Sequence, residues 1–213
     1  MIKLYGYWRS SAAYRVRIAL HLKEIDFESI SVHLVKNGGE QHQKEYTDIN
    51  SSHLVPTLVD GDLMLSQSIA IVDYLDNCYP DVALYPNDFA LKAKVQALAL
   101  DIACEIHPIN NLRVQQYLVQ ELDVSAQEKM DWVHHWMTTG FSNVEAQLVK
   151  TSGQYCCADK VTMADICLIP QVYNAKRFGV EMSHFPNICR IVDNCQALDA
   201  FKKALPENQD DAE

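Results

Sequence analysis

The chain has 213 residues, 48% of them hydrophobic, enough apolar material to bury a core and to exclude a chain that is disordered throughout. With 28 acidic against 18 basic residues its formal net charge is −10 and no basic run interrupts it, which excludes nonspecific attraction to nucleic acid or to an anionic membrane. The N-terminus, MIKLYGYWRSS, has no apolar signal core and no 18-residue apolar span follows, so the chain reads as cytoplasmic.

Residues 2–7 are a short apolar and aromatic run suited to a buried strand. Over residues 11–22, Tyr14, Val16, Ile18, Ala19, Leu20 and Leu22 include the i, i+3, i+4 spacings of a buried helix face. Residues 27–34 (FESISVHL) alternate as a second strand, Gly38 and Gly39 break the pattern, and a short helix or loop covers residues 40–49. Two apolar runs around Asp60-Gly61 within residues 57–65 give a hairpin, because that dipeptide tolerates positive φ, and residues 67–78 resume a helical period. The order β-α-β-(α)-β-β-α, with a parallel crossover first and an antiparallel hairpin last, is a thioredoxin-like α/β sheet with helices on both faces. Residues 80–88 carry Pro80 and Pro86 and read as a linker. Helical patterns then occupy residues 89–107, 109–121, 126–149, 162–176, 186–196 and 197–204, and no strand signal returns. The expected domains are therefore 1–80, thioredoxin-like; 81–88, linker; 89–205, all-helical; and 206–213, an acidic frayed tail.

The seven cysteines (78, 104, 156, 157, 167, 189 and 195) are odd in number and never spaced as CxxC, which argues against a disulfide framework or a zinc site; no metal is expected. They read as small core hydrophobes, with the adjacent Cys156 and Cys157 in a loop as the oxidation-sensitive pair.

In a thioredoxin-like domain the loop after the first strand opens a helix whose N–H groups and dipole favour a thiolate. Here that loop reads Arg9-Ser10-Ser11-Ala12, so the domain cannot run dithiol exchange with its own side chains. The hydroxyls suggest a sulfur that belongs to a bound molecule, with a serine O–H donating to it near the helix start and Arg15. Lowering a thiol pKa by about two units corresponds to roughly 2.7 kcal/mol, within reach of a charge-assisted hydrogen bond and a helix end. Either serine also suits an ordinary N-cap, and the two roles are compatible. Leu54-Val55-Pro56-Thr57 precedes the third strand; a proline there sits in a turn, favours a cis bond, and leaves the N–H and C=O of Val55 for an extended peptide. Ser66-Gln67-Ser68 opens the next helix, where free N–H groups and the Ser68 hydroxyl suit a carboxylate.

SSxxYRVRIAL, HLVPTL, LSQSIAIVDYL, IHPINNLRVQQYL and VTMADICLIPQVYNAKRF together resemble the zeta class of glutathione transferases, over about residues 1–205. Within it they are similar to the maleylacetoacetate isomerases and the glutathione-dependent maleylpyruvate isomerases. The resemblance implies the glutathione transferase fold, glutathione as the peptide-like cofactor and a homodimer. It places Ser10 and Ser11 at the thiol, Val55 on the cysteinyl backbone, Gln67 and Ser68 at the γ-glutamyl end and Gln41 at the glycyl end, where the charge of neighbouring Glu40 is a puzzle. His107, Asn111 and Arg113 match positions lining the family's cleft, and Arg177 matches a position that holds a substrate carboxylate. Ala12 stands where the family usually has cysteine; the maleylpyruvate branch lacks it too, which leaves the choice of substrate open.

The residues read alongside this. His107-Pro108 interrupts a helical pattern and aims Asn110, Asn111 and Arg113 after an imposed break. Thr162-Met163-Ala164-Asp165 has capping-box spacing, so Asp165 is expected to hold the fold. The implied reaction is the isomerisation of maleylacetoacetate to fumarylacetoacetate in tyrosine and phenylalanine breakdown: the thiolate adds to the alkene, the resulting single bond rotates and the thiolate leaves. Cations placed where enolate charge develops would be Arg9, Arg15, Arg113 and Arg177, arginine being a two-pronged donor that suits a small dicarboxylic keto acid. Arg17 suits either that cluster or an anchor for its helix. Conjugation or dehalogenation of α-halo acids needs the same thiolate, and a noncatalytic binding protein can share the fold.

Overall fold

In the computed structural model, which describes residues 1–213, buried Ile2 and Leu4 alternate with exposed Lys3 to lay down β1 (Ile2–Gly6). α1 (Ser11–Leu22) follows with an apolar face of Ala13, Val16, Ile18, Ala19 and Leu20 withdrawn from solvent. Next come β2 (Phe27–Ser31), two 3₁₀ turns over Lys36–Gly38 and Glu40–His42, and the single turn α2 (Lys44–Thr47). β3 (Thr57–Asp60) and β4 (Leu63–Ser66) form the hairpin about Asp60-Gly61, and α3 (Ser68–Cys78) closes the segment. The sheet order is β2-β1-β3-β4, with β1 parallel to β2 and antiparallel to β3. Leu4 pairs with Leu58 in the central register, both fully buried, so the two central strands supply the core face.

The chain forms two compact units, one of residues 1–83 with 197–213 and the other of residues 84–196. The second begins inside the expected linker: Leu84 and Tyr85 are buried, and the Leu84 carbonyl accepts the Met163 N–H at 3.0 Å. α4 (Phe89–Leu100) is capped by Asp88, whose carboxylate accepts the Leu91 N–H, and runs into a π-helical stretch over Asp101–Ile106. The long helix expected to residue 107 thus changes character before Pro108, where His107 N–H reaches back five residues to the Ile102 carbonyl. α5 (Leu112–Gln120) restarts after the break. α6 (Ala126–Thr151) opens with a capping box of Ser125 and Glu128. α7 (Met163–Arg177) is buried along almost its whole length and α8 (Pro186–Gln196) buries Ile188, Ile191, Val192 and Cys195. Gly140 on α6 permits a close approach to the π-helical stretch, because a Cβ there would overlap the Ile106 side chain.

α9 (Asp199–Ala204) belongs to the first unit and packs on α1, with Phe201 and Ala204 fully buried. The sequence places this piece with the helices and frays residues 206–213; the structure orders them instead. Pro206–Asn208 form a 3₁₀ turn, and the Asp211 carboxylate accepts the Trp8 N–H at 3.1 Å and the Ser31 hydroxyl at 2.9 Å. Glu213 pairs with Lys36 and lies 3.4 Å from His33 Nε2. Acidic side chains in the tail meet backbone donors and cations that no local pattern announces. No helix is long and apolar enough to cross a membrane.

Candidate functional site

In the first unit, the helix start after β1 is built by Ser10. Its N–H donates to the Tyr7 carbonyl at 2.9 Å and its Oγ accepts the Ala13 N–H at 3.2 Å, so Ser10 is the N-cap of α1. A hydroxyl that accepts through a lone pair keeps its proton for another acceptor, so capping leaves the Ser10 O–H a donor. Ser11 is buried, 6% exposed. Arg9 lies half-buried beside them, its guanidinium 4.7 Å from the Trp8 ring centre and its Nη2 donating to the Tyr7 hydroxyl at 3.0 Å.

Two arginines of α1, Arg15 and Arg17, make hydrogen bonds within the first unit. Arg15 is 2% exposed and its Nη1 donates to the Ser68 hydroxyl at 3.3 Å, which ties α1 to the start of α3. So enclosed, the Arg15 guanidinium supports the Ser68 hydroxyl at the start of α3. Arg17 donates to the Ala204 and Trp8 carbonyls at 3.2 and 2.9 Å, which makes it the anchor of α1, through backbone acceptors.

The turn before β3 is clamped on both sides. Tyr46 Oη donates its proton to the Leu54 carbonyl at 2.5 Å and so accepts the Thr57 hydroxyl at 2.9 Å, while Asn50 Nδ2 donates to the Leu54 carbonyl and to Thr57 Oγ1, both at 2.9 Å. Burial pushes the Tyr46 phenol up, against the opposing effect of its bonds to Thr57 and Asn50, so it stays protonated as a donor. The Val55–Pro56 bond is cis, and between the clamped residues the N–H and C=O of Val55 have no partner in the chain. Tyr46 and Asn50 were not singled out from the sequence, since eight and four residues separate them from the carbonyl they share.

Gln67 precedes α3 with φ 72° and ψ 110°, a left-handed backbone that costs a side-chain-bearing residue on the order of 1–3 kcal/mol and is held by its surroundings. Ser68 opens the helix, 5% exposed. Gln41 is drawn inward: Nε2 donates to the Leu34 carbonyl at 3.3 Å, and Oε1 is buried without a partner. Gly39, at φ +96°, leaves room for it, since a Cβ there would lie 2.5 Å from Gln41 Nε2. One N–H of Gln41 Nε2 braces this loop on the Leu34 carbonyl, and the amide nitrogen carries a second. The Glu40 puzzle resolves as well, because its carboxylate accepts the His33 N–H at 2.6 Å and so faces the backbone.

In the second unit, the break at Pro108 leaves helix-end carbonyls that side chains satisfy. Asn110 Nδ2 donates to the Ile106 carbonyl at 2.5 Å, Trp132 Nε1 to Ile109 at 3.0 Å and Gln115 Nε2 to Asn110 at 2.8 Å. His107 ends the π-helical stretch, half-buried; Asn111 caps α5 by accepting the Arg113 N–H at 3.2 Å; and the Arg113 side chain is exposed. Arg177, exposed at the end of α7, donates to Asn174 Oδ1 at 2.9 Å with the Phe178 ring 4.2 Å from its guanidinium. Asp165 is a fold residue: its carboxylate accepts the N–H groups of Cys156 and Thr162, both at 2.8 Å, and the Thr162 hydroxyl at 3.0 Å. Burial raises its pKa and those bonds oppose the rise.

All seven cysteines are free. Cys156 and Cys157 are buried, and burial pushes Cys156 well up and Cys157 up to about 11, which removes them as an oxidation-sensitive pair. No cluster of three or more His, Cys, Asp or Glu side chains forms a metal site.

The first unit's four-stranded sheet of order β2-β1-β3-β4 agrees with the glutathione transferase fold, and residues 1–77 match the family model of the glutathione S-transferase N-terminal domain. A probable maleylacetoacetate isomerase of Vibrio cholerae serotype O1 is 53% identical over 209 residues, 98% of this chain and 97% of that one. A holo structure of a maleyl pyruvate isomerase, a bacterial glutathione S-transferase in the zeta class, superposes with a TM-score of 0.96 at 39% identity, covering 99% of this chain and 100% of the other. The maleylacetoacetate isomerase of Methylobacterium extorquens AM1, solved with bound malonate and GSH, gives a TM-score of 0.95 at 36% identity, with 99% of each chain covered. The chain belongs to the zeta-class glutathione S-transferases, the family of the maleylacetoacetate isomerases.

Proposed function

We propose that this chain is a glutathione-dependent cis–trans isomerase that converts maleylacetoacetate to fumarylacetoacetate. The observation that carries this reading is the open N–H and C=O of Val55, held in place by Tyr46 and Asn50, in the same unit as a helix capped by Ser10 and free of cysteine. An extended tripeptide fits such a turn by strand-like pairing. When bound, glutathione supplies the nucleophilic sulfur that adds reversibly to the activated double bond. The chain's own residues then have separable tasks. Ser10 donates its remaining proton to the sulfur and favours the charged form; Ser11 completes the helix start. Val55 pairs with the peptide backbone, and Gln67 with Ser68, braced by Arg15, receives the γ-glutamyl carboxylate. From the second unit, His107 and Asn111 serve glutathione and Arg113 and Arg177 the substrate carboxylates, with Arg9 as a further cation. Arginines suit this because their planar fork matches a carboxylate and stays charged as enolate charge develops.

A small dicarboxylic acid as substrate is supported by the malonate bound to the Methylobacterium relative. Maleylpyruvate is the second reading, favoured by Ala12 in place of the cysteine and by the 0.96 TM-score to a maleyl pyruvate isomerase. The fold pairs as a homodimer in this proposal, supported by β4, an edge strand whose Leu63 and Met64 are exposed. A reducing, cytoplasmic location suits seven free thiols. The test is retention on immobilised glutathione together with side-by-side turnover of maleylacetoacetate and maleylpyruvate, each with and without glutathione. Full turnover without glutathione overturns the proposal, and binding without turnover leaves a noncatalytic binding protein.

A further inference from the structure

The two segments HPINNLR and PQVYNAKRF are joined by a line of hydrogen bonds that the chemistry above does not use. Arg177 Nη2 donates to Asn174 Oδ1 at 2.9 Å, Asn174 Nδ2 donates to Asn110 Oδ1 at 3.2 Å, and Asn110 Nδ2 donates to the Ile106 carbonyl at 2.5 Å. Asn110 is 3% and Asn174 7% exposed, so these amides are out of reach of competing water.

The polarity of the line is set at both ends. A guanidinium only donates, so Asn174 must turn its oxygen to Arg177 and its nitrogen to Asn110; a peptide carbonyl only accepts, so Asn110 must turn its nitrogen to Ile106 and its oxygen to Asn174. Reversing either amide would set donor against donor or acceptor against acceptor. The line ends on a backbone atom fixed by the close of the π-helical stretch, and it stands in for the helical bond lost at the Pro108 break. At the other end the amide fixes one edge of the guanidinium and the Phe178 ring, 4.2 Å away, fixes its face.

We propose that Asn174 and Asn110 are positioning residues for the substrate carboxylate, setting the direction of the Arg177 guanidinium from a grounded backbone carbonyl. Because both are neutral, they orient the cation without cancelling its charge. An aspartate at 174 would keep the same acceptor oxygen but would occupy Arg177 as an ion pair and weaken its hold on an anion. The inference rests on the assignment of Arg177 to the substrate carboxylate.

A double-mutant cycle tests it, read as KM and kcat for maleylacetoacetate, inhibition by malonate and KM for glutathione. Asn174→Ala is expected to raise the KM for the substrate and the inhibition constant of malonate about tenfold, with kcat within about twofold and the glutathione KM unchanged. Arg177→Ala should raise the same two constants by more, and the double variant should match Arg177→Ala alone, because a residue that acts through another adds nothing once the other is gone. Should Asn174→Ala fail to fold, Asn174→Asp carries the test: it keeps the oxygen facing Arg177 and should lose at least as much malonate affinity. Multiplying losses in the double variant, or normal constants in Asn174→Ala or Asn174→Asp beside a raised KM in Arg177→Ala, overturn the relay alone. Normal constants in Arg177→Ala overturn the carboxylate assignment and the relay with it.

Discussion

Ser10 performs one role that is visible in the fold and a second that is proposed, and the two separate by substitution. Its Oγ caps α1 through the Ala13 N–H at 3.2 Å, and loss of a serine N-cap costs about 1 kcal/mol, which in a chain of this size lowers Tm by roughly 2–4 °C. Its O–H is assigned to the glutathione sulfur, and a hydrogen bond to a charged group contributes about 1.5–3 kcal/mol. At 1.4 kcal/mol per tenfold, Ser10→Ala should lose about 10- to 150-fold in kcat/KM at neutral pH, and the acid limb of its pH profile should move up by about one to two units. Ser10→Asp discriminates: aspartate is a good N-cap, so Tm should stay near wild type, but an ionised carboxylate has no proton to give and repels a thiolate. Its activity should fall at least as far as that of Ser10→Ala. Thermal unfolding and kcat/KM measured from pH 5 to 9 decide the matter. An aspartate variant with wild-type rates and an unmoved profile would refute the assignment of Ser10.

Other perturbations probe the supports. Tyr46→Phe removes the donor to the Leu54 carbonyl but leaves Asn50 on it, so stability should fall by about 1–2 kcal/mol in denaturant titration and the glutathione KM should rise several-fold with little change in kcat. Gly39→Ala forces a Cβ against the Gln41 amide at φ +96°, so it should destabilise by more than about 1 kcal/mol and weaken glutathione retention; wild-type stability would show that this loop yields freely. Asp165→Ala strands three buried donors and should cost about 3–5 kcal/mol in urea unfolding, with normal kcat per folded molecule. A thiol reagent should titrate Cys78 and Cys104 rapidly in the native protein and all seven thiols in denaturant; fast reaction of Cys156 would mean that its enclosure is looser than the structure has it.

Much of the first unit was readable locally. The alternation of residues 2–7, the helical spacing from Ser11, the Asp60-Gly61 turn and the Pro56 turn each depend on a few neighbours, and each element appears within a few residues of its expected place. The capping box at Asp165 was readable for the same reason, since a cap is a four-residue event. Identities along the chain also specified the absence of a cysteine at the first helix start and the presence of an arginine at 177.

Tertiary structure alone decided where each arginine and amide sits and what it is bonded to. Arg9, Arg15, Arg17 and Arg177 are the same residue type, yet Arg15 is enclosed against Ser68, Arg17 is spent on two carbonyls, and Arg177 stands at the surface at the end of a line of amides. The clamp of Tyr46 and Asn50 on Leu54, the inward turn of Gln41 and the docking of Asp211 on Trp8 likewise join residues through space. Burial and hydrogen-bond partnership are properties of distances that the chain acquires only when it folds, whereas helix spacing, turn chemistry and caps are written in adjacent residues.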